Sequence, residues 1–308
     1  MRIVFFGTSN VALPILETLH QHHDVVLAVT APDAKVGRKQ ELQESPVSVL
    51  AQEMDIEVLK PVTVKHNQEF LLKLRTVNAD IFIVVSYGKI LPLEIINLPK
   101  YKTLNVHFSL LPKYRGSSPI QYALMNGEKE TGTSIFVLDE KMDTGPVVVQ
   151  EKINIEPDDN FITLSQKLSY LSAKSLLNSL PKYFSGEIVP EKQNDSLATY
   201  TKIINKENGK IDWETSAFEI YNKFRAFYPW PGIWTTWNGK KIKILDCEPF
   251  VYESGSSRCG EFREGTLVVC GNDTCLKLKI VQLEGKTTVP IQSFVNGYSQ
   301  IEGSMLGV

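Results

Sequence analysis

In the first half of the chain, short unbroken apolar runs alternate with stretches whose apolar residues recur every three or four positions. RIVFFG, DVVLAVT, DIFIVVSYG and TLNVHF read as strands buried on both faces, whereas VALPILETLHQH, SPVSVLAQEMD, NQEFLLKLRTVN and SPIQYALMNG read as amphipathic helices. Strands alternating with helices predict an α/β architecture, a Rossmann-like doubly wound and mostly parallel sheet. TGTSIFVLDE and GPVVVQEKINI then suggest two strands joined by the loop Met142-Asp143-Thr144-Gly145, and a long helix is expected from Leu164 to Tyr183.

The period changes further on. From about Asn205, GKIDW, PWPGIWTTW, KKIKIL, TLVVC and LKLKIVQL form short alternating runs separated by turn residues, which predicts a small all-β domain, OB-like and barrel-shaped. The expected division is an α/β domain over 1–187, a polar linker over 188–204 and a β-barrel domain over 205–308.

Composition adds little to this picture and removes several options. At 308 residues and 43% apolar the chain can bury roughly three quarters of its unfolded surface, so it needs no covalent staples. A net charge of −2 does not advertise nucleic-acid binding globally. Cys247, Cys259, Cys270 and Cys275 form no C-x-x-C pair, which leaves reduced thiols as the expectation. The apolar run in MRIVFFGTSN is too short for a signal peptide, and no stretch approaches the roughly 18 apolar residues of a membrane span, so a cytoplasmic protein without membrane association is expected.

Candidate chemistry concentrates in one place. The segment NVHFSLLPKYRGSSP runs from a strand into a loop, and residues two apart in a strand point the same way, so Asn105 and His107 project together. With a loop carboxylate at Asp143 they supply an amide donor, an imidazole and a carboxylate, the equipment for acyl transfer to an external nucleophile. A lone histidine or asparagine at a strand end is more often structural; the pair on one face raises the functional reading. GTSN has too few glycines for a dinucleotide fingerprint and reads as a tight turn with Ser9 or Asn10 capping a helix. There is no G-x-S-x-G elbow and no H-E-x-x-H, so neither a covalent acyl-enzyme nor a metal is expected.

The run NVHFSLLPKYRGSSPIQ, with VLDEKMDTGP downstream, resembles the signature of the formyltransferases that use 10-formyltetrahydrofolate. KIINKENGKIDW, FRAFYPWPGIW and VQLEGKTTVPIQSFVNGY resemble the members of that family that act on methionyl-tRNA. Carried over residue by residue, the resemblance implies catalytic roles for Asn105, His107 and Asp143. It also implies folate contacts by Ser109, Leu110, Leu111 and Pro112, with initiator methionyl-tRNA as acceptor and a monomeric enzyme. Ser86–Pro92 is similar to the family's border of the pterin pocket; a plain strand-end loop with core leucines accounts for it equally well.

Contact with tRNA requires cationic surface. Thr201–Leu245 carries eight lysines and arginines against four acids, although such a run also suits a solvated face. The loop Ala31–Pro46 resembles the family's arm to the tRNA acceptor end. That arm is usually strongly basic, but here Lys35, Arg38 and Lys39 are balanced by Asp33, Glu41 and Glu44. Arg38 is the expected tRNA contact. Two alternatives stand beside this reading: a formyltransferase acting on an amino sugar nucleotide, and a folate- or tRNA-binding protein without catalysis.

Overall fold

The computed structural model describes residues 1–36, 40–252 and 258–308, without the side chain of Val36. The chain forms two compact units. The first comprises Met1–Pro119, Glu130–Asn154 and Leu164–Thr201; the second comprises Ile120–Lys129, Ile155–Thr163 and Lys202–Val308.

Among the described residues the first half of the chain contains the strands β1 (Arg2–Gly7), β2 (Asp24–Val29), β3 (Ala34–Val36), β4 (Glu41–Gln43), β5 (Val58–Leu59), β6 (Ile81–Val85), β7 (Thr103–His107), β8 (Glu130–Val137) and β9 (Val147–Asn154). Its helices are α1 (Leu13–His22), α2 (Pro46–Glu53), α3 (Gln68–Thr76), α4 (Leu93–Ile96), α5 (Pro119–Met125) and α6 (Phe161–Ser185). The seven-stranded sheet runs β5-β2-β1-β6-β7-β8-β9. Its first five strands pair in parallel and its last two join antiparallel, as the doubly wound pattern predicts. Strand order reverses at β1, whose neighbours are β2 and β6, so the crevice beyond the carboxyl ends of β1 and β6 is the natural ligand position.

Local sequence explains the helix starts. Ser45 accepts the N–H of Ser48 at 3.0 Å ahead of α2, and Asn67 accepts that of Phe70 at 3.0 Å ahead of α3. Ser9 does not cap: its hydroxyl donates to Ser86 Oγ at 2.8 Å, tying the end of β1 to the end of β6. A core of Val4, Phe6, Leu27, Val29, Phe70, Leu74, Phe82 and Val84 is buried on one face of this sheet. The arm expected as a loop contains a two-stranded ribbon, β3 against β4.

The second unit is built on an antiparallel sheet rather than on strands alone. Its strands β10 (Ile233–Trp237), β11 (Lys240–Val251), β12 (Phe262–Arg263), β13 (Leu267–Cys270), β14 (Thr274–Leu283) and β15 (Thr288–Pro290) run β10-β11-β14-β13-β12, with β15 also on β14. The all-β expectation missed α7 (Ala217–Phe227) and α8 (Ile291–Gly297). The signal for α7 was local: Ser216 and Glu219 form a reciprocal capping box, and Ala217, Ile220, Ala226 and Phe227 bury one face. GKIDW is no strand; a turn capped by Asn205 leads into an isolated bridge between Lys210 and Trp234. Arg225 donates to the carbonyls of Glu156 and Asp159, fastening 155–163 within this unit. All four cysteines are free. Among the described residues no helix is long and apolar enough to cross a membrane.

Candidate active site

Asn105 and His107 are set by β7, which pairs with β6 on one side and β8 on the other; Asn105 lies between Val84 and Phe136. Asn105 and His107 both line one cavity of about 430 Å³, together with Val106 and Phe108. Its other walls are Ser86–Leu91 after β6, Gly116 and Ser117 after β7, and Leu138–Asp143 after β8. The site therefore lies among loops at sheet ends, close to the reversal of strand order.

His107 is 6% exposed and both ring nitrogens are accounted for. Nε2 lies 2.8 Å from the carbonyl oxygen of Tyr114. A carbonyl can only accept, so Nε2 carries a proton and the ring orientation is fixed. Nδ1 faces Asp143 Oδ2 at 3.6 Å, an ion-pair distance too long for a hydrogen bond.

Asp143 is positioned from several directions. Its backbone is left-handed, φ 55°, a conformation that non-glycine residues hold only when their surroundings enforce it. Oδ2 accepts the backbone N–H of Gly116 at 2.7 Å. Its carbonyl accepts from Gln193 Nε2 at 2.9 Å. Thr144 donates to the carboxylate of Asp139, and Gly145 is packed so closely that a Cβ would overlap the carbonyl oxygen of Val137.

The expected folate contacts follow β7 in the chain. None of Ser109, Leu110, Leu111 and Pro112 lines the cavity. Ser109 is fully buried and spends its hydroxyl on the carbonyl of Lys113, at 2.7 Å. Leu111 donates its N–H to Ser134 Oγ at 3.0 Å. These bonds shape the turn that leads to Gly116, because the chain past His107 has left the strand whose alternation aims side chains at the cavity. The lining comes instead from Ser86–Leu91, where Ser86 (φ 49°) and Gly88 (φ 81°) are both left-handed and Ile90 stands 89% exposed. Lys89 donates to the carbonyls of Pro61 and Val62, and burial lowers its pKa.

Arg38 lies outside the described residues. Lys60, which falls beyond the arm in sequence and carries no motif that marks it, joins two of the arm's acids. Its ammonium pairs with Asp33 and Glu44, each at 2.7 Å, and so adds a fourth cation against the arm's three acids. Among the described residues no cluster of histidine, cysteine or carboxylate groups is arranged to hold a metal ion.

Comparison with known proteins extends over the whole chain. The profile of the formyl transferase family matches residues 1–180, and that of the formyl transferase C-terminal domain matches 203–299. The methionyl-tRNA formyltransferase of Caldanaerobacter subterraneus subsp. tengcongensis is 43% identical over 310 residues, spanning 99% of this chain and 100% of that protein. The methionyl-tRNA formyltransferase of Caldicellulosiruptor saccharolyticus is 44% identical over 313 residues, with 99% and 100% coverage. Among solved structures, the N-formyltransferase from Helicobacter canadensis in complex with folinic acid and dTDP-3-aminofucose superposes with a TM-score of 0.67. That pair is 22% identical, covering 90% of this chain and 98% of that one, so the likeness concerns the fold.

Proposed function

The chain belongs to the formyl transferase family, and from that premise we propose that it moves the formyl group of 10-formyltetrahydrofolate to the α-amine of methionine esterified to initiator tRNA, for translation initiation. The observation that carries the reading is the meeting of Asn105, His107 and Asp143 at one cavity, His107 having a single ring nitrogen left to face it.

As the amine attacks the formyl carbon, a C–N bond forms and charge grows on the formyl oxygen. The side-chain amide of Asn105 and a protonated Nδ1 of His107 donate to that oxygen. The Nδ1 to Oδ2 gap of 3.6 Å leaves the proton free to be shared with the substrate instead of being locked to Asp143. Asp143 accepts the proton the amine sheds, directly or through water. The bond from the formyl carbon to folate N10 then breaks as the carbonyl re-forms, and N10 takes up the proton that Asp143 received from the amine, directly or through water, and leaves as tetrahydrofolate.

The pterin fits the apolar cavity bounded by Val84, Tyr87, Leu91, Ile96 and Leu138. In this reading the turn Ser109-Leu110-Leu111-Pro112, which follows His107 in the chain, contacts the folate cosubstrate, and Leu110 and Pro112 are its half-buried members. The division into residues 1–187, 188–204 and 205–308 describes the duties: chemistry in the first part, tRNA contact in the last and in the arm at Arg38. The enzyme acts as a monomer in the cytoplasm and uses no metal.

The reading is tested by offering labelled 10-formyltetrahydrofolate with methionyl initiator tRNA, uncharged tRNA and a dTDP-amino sugar in parallel. Label on the methionyl ester alone is the expected result. Label on the sugar points to the sugar-nucleotide alternative, and label on no acceptor points to a binding protein.

A further inference from the structure

Segment 188–204 reads in the sequence as a polar connector, yet part of it is built into the reaction loop. Glu191 exchanges backbone hydrogen bonds with Val147, and Thr199 and Thr201 do so with Arg115. Between them stands Gln193, 8% exposed, whose side-chain amide donates twice: to the carbonyl of Asp143 at 2.9 Å and to that of Gly145 at 2.8 Å. Its Oε1 accepts from Arg115 Nε at 3.1 Å and from Arg115 Nη2 at 2.8 Å.

Arg115 is 1% exposed, and the carboxylate it pairs with, Asp195 at 2.7 Å, is 69% exposed. Removing a guanidinium from water this completely is expensive, and a pair whose carboxylate partner stays solvated offsets little of that cost. The arrangement is understandable when the arginine has a second duty. Arg115 precedes Gly116, the residue that holds the Asp143 carboxylate. Asp143 is thus gripped at both ends, by its carboxylate through Gly116 and by its carbonyl through Gln193, and both grips lead back to Arg115. A left-handed aspartate is held against backbone strain, and this double grip supplies the enforcement.

We infer that Gln193, oriented by Arg115, is a positioning residue for formyl transfer that holds Asp143 in register with His107. The inference rests on the role given to Asp143 above. Gln193 touches neither substrate nor reacting atoms; it acts through the loop.

The two functions of its amide can be separated. Gln193→Glu keeps an acceptor for Arg115 and loses both donations, while Gln193→Met, of similar length, loses everything polar. Steady-state kinetics with methionyl initiator tRNA are to be read beside amide hydrogen exchange of both variants. The expected result is a fall in kcat of at least about tenfold in each, with KM for either substrate within about twofold, since small misplacements of a reacting group act on turnover. Exchange should quicken at Met142–Gly145 and stay unchanged in β1, β6 and β7. Turnover within about twofold of wild type overturns the inference, as does quickened exchange spread evenly through the first unit, which marks general destabilisation. If Gln193→Met fails to fold, Gln193→Glu carries the same test. Wild-type protein that transfers no formyl group contradicts the functional reading instead, and the exchange measurement alone then decides whether Gln193 holds the loop.

Discussion

The backbone N–H of Gly116 meets the carboxylate of Asp143 at 2.7 Å across 27 residues of sequence. The same oxygen, Oδ2, faces Nδ1 of His107. Gly116 reaches this position with φ 111°, and a Cβ there would stand 2.8 Å from both the carbonyl oxygen and the hydroxyl of Thr201. Gly116→Ala is therefore expected to lose about 1–3 kcal/mol of stability from backbone strain alone, and to lose turnover as the carboxylate is displaced. Chemical denaturation and kcat measured together check this; a fully active, fully stable variant would remove the Gly116 bond from the account.

Asn105 has no charge to contribute, so its part is that of a hydrogen-bond donor to the forming oxyanion. Loss of one such donor typically costs on the order of 100- to 1000-fold in rate. Asn105→Ala should show such a fall in kcat with circular dichroism unchanged, because the residue is only half-buried and lines the cavity. Near-normal turnover would exclude it from the chemistry.

Tyr87 carries a buried hydroxyl that finds no hydrogen-bond partner among the described residues. Burial pushes its pKa up to about 12. A group whose folded pKa is raised contributes no penalty below its unfolded value near 10; stability is lost as pH climbs from there toward about 12, where the unfolded chain ionises and the folded one resists. Tyr87→Phe should leave stability at neutral pH equal or higher, since an unsatisfied buried hydroxyl is removed, and should weaken the alkaline loss. Denaturation midpoints at pH 7 and pH 11 read this directly, and a variant much less stable at pH 7 would imply a partner for the hydroxyl.

Arg38 is proposed to touch phosphate or base at the tRNA acceptor end. Arg38→Glu should raise KM for methionyl-tRNA and lower the salt dependence of tRNA binding by roughly one counterion, while folate affinity stays as it was. Equal effects on both ligands would place Arg38 elsewhere.

What the sequence could reveal followed from periodicity. Spacing of two put Asn105 and His107 on one face, and spacing of three and four marked α1, α2 and α3, because these signals are local and repeat within one element. The Met142–Gly145 loop was legible as a loop, and its carboxylate as a candidate partner. Gln193 was not, because nothing near it in sequence distinguishes an amide aimed at two carbonyls from one in solvent. Ser109 shows the limit of a motif resemblance: it gave the residue a ligand, but the burial of its side chain and its bond to the carbonyl of Lys113 are not legible in the motif. In the second unit alternation found the strands, but attention to that pattern hid the capping box of α7.

The central claim is that His107 and Asp143 act as one unit in moving a formyl group to methionyl-tRNA. Single-turnover transfer of labelled formyl from saturating 10-formyltetrahydrofolate to methionyl initiator tRNA should be timed for wild type, His107→Ala, Asp143→Asn and the double variant. Losses of about 100-fold or more are expected in each single variant, with little further loss in the double, because removing one member already disables the pair. Losses that multiply, or a tRNA that acquires no label from the wild type, would contradict it.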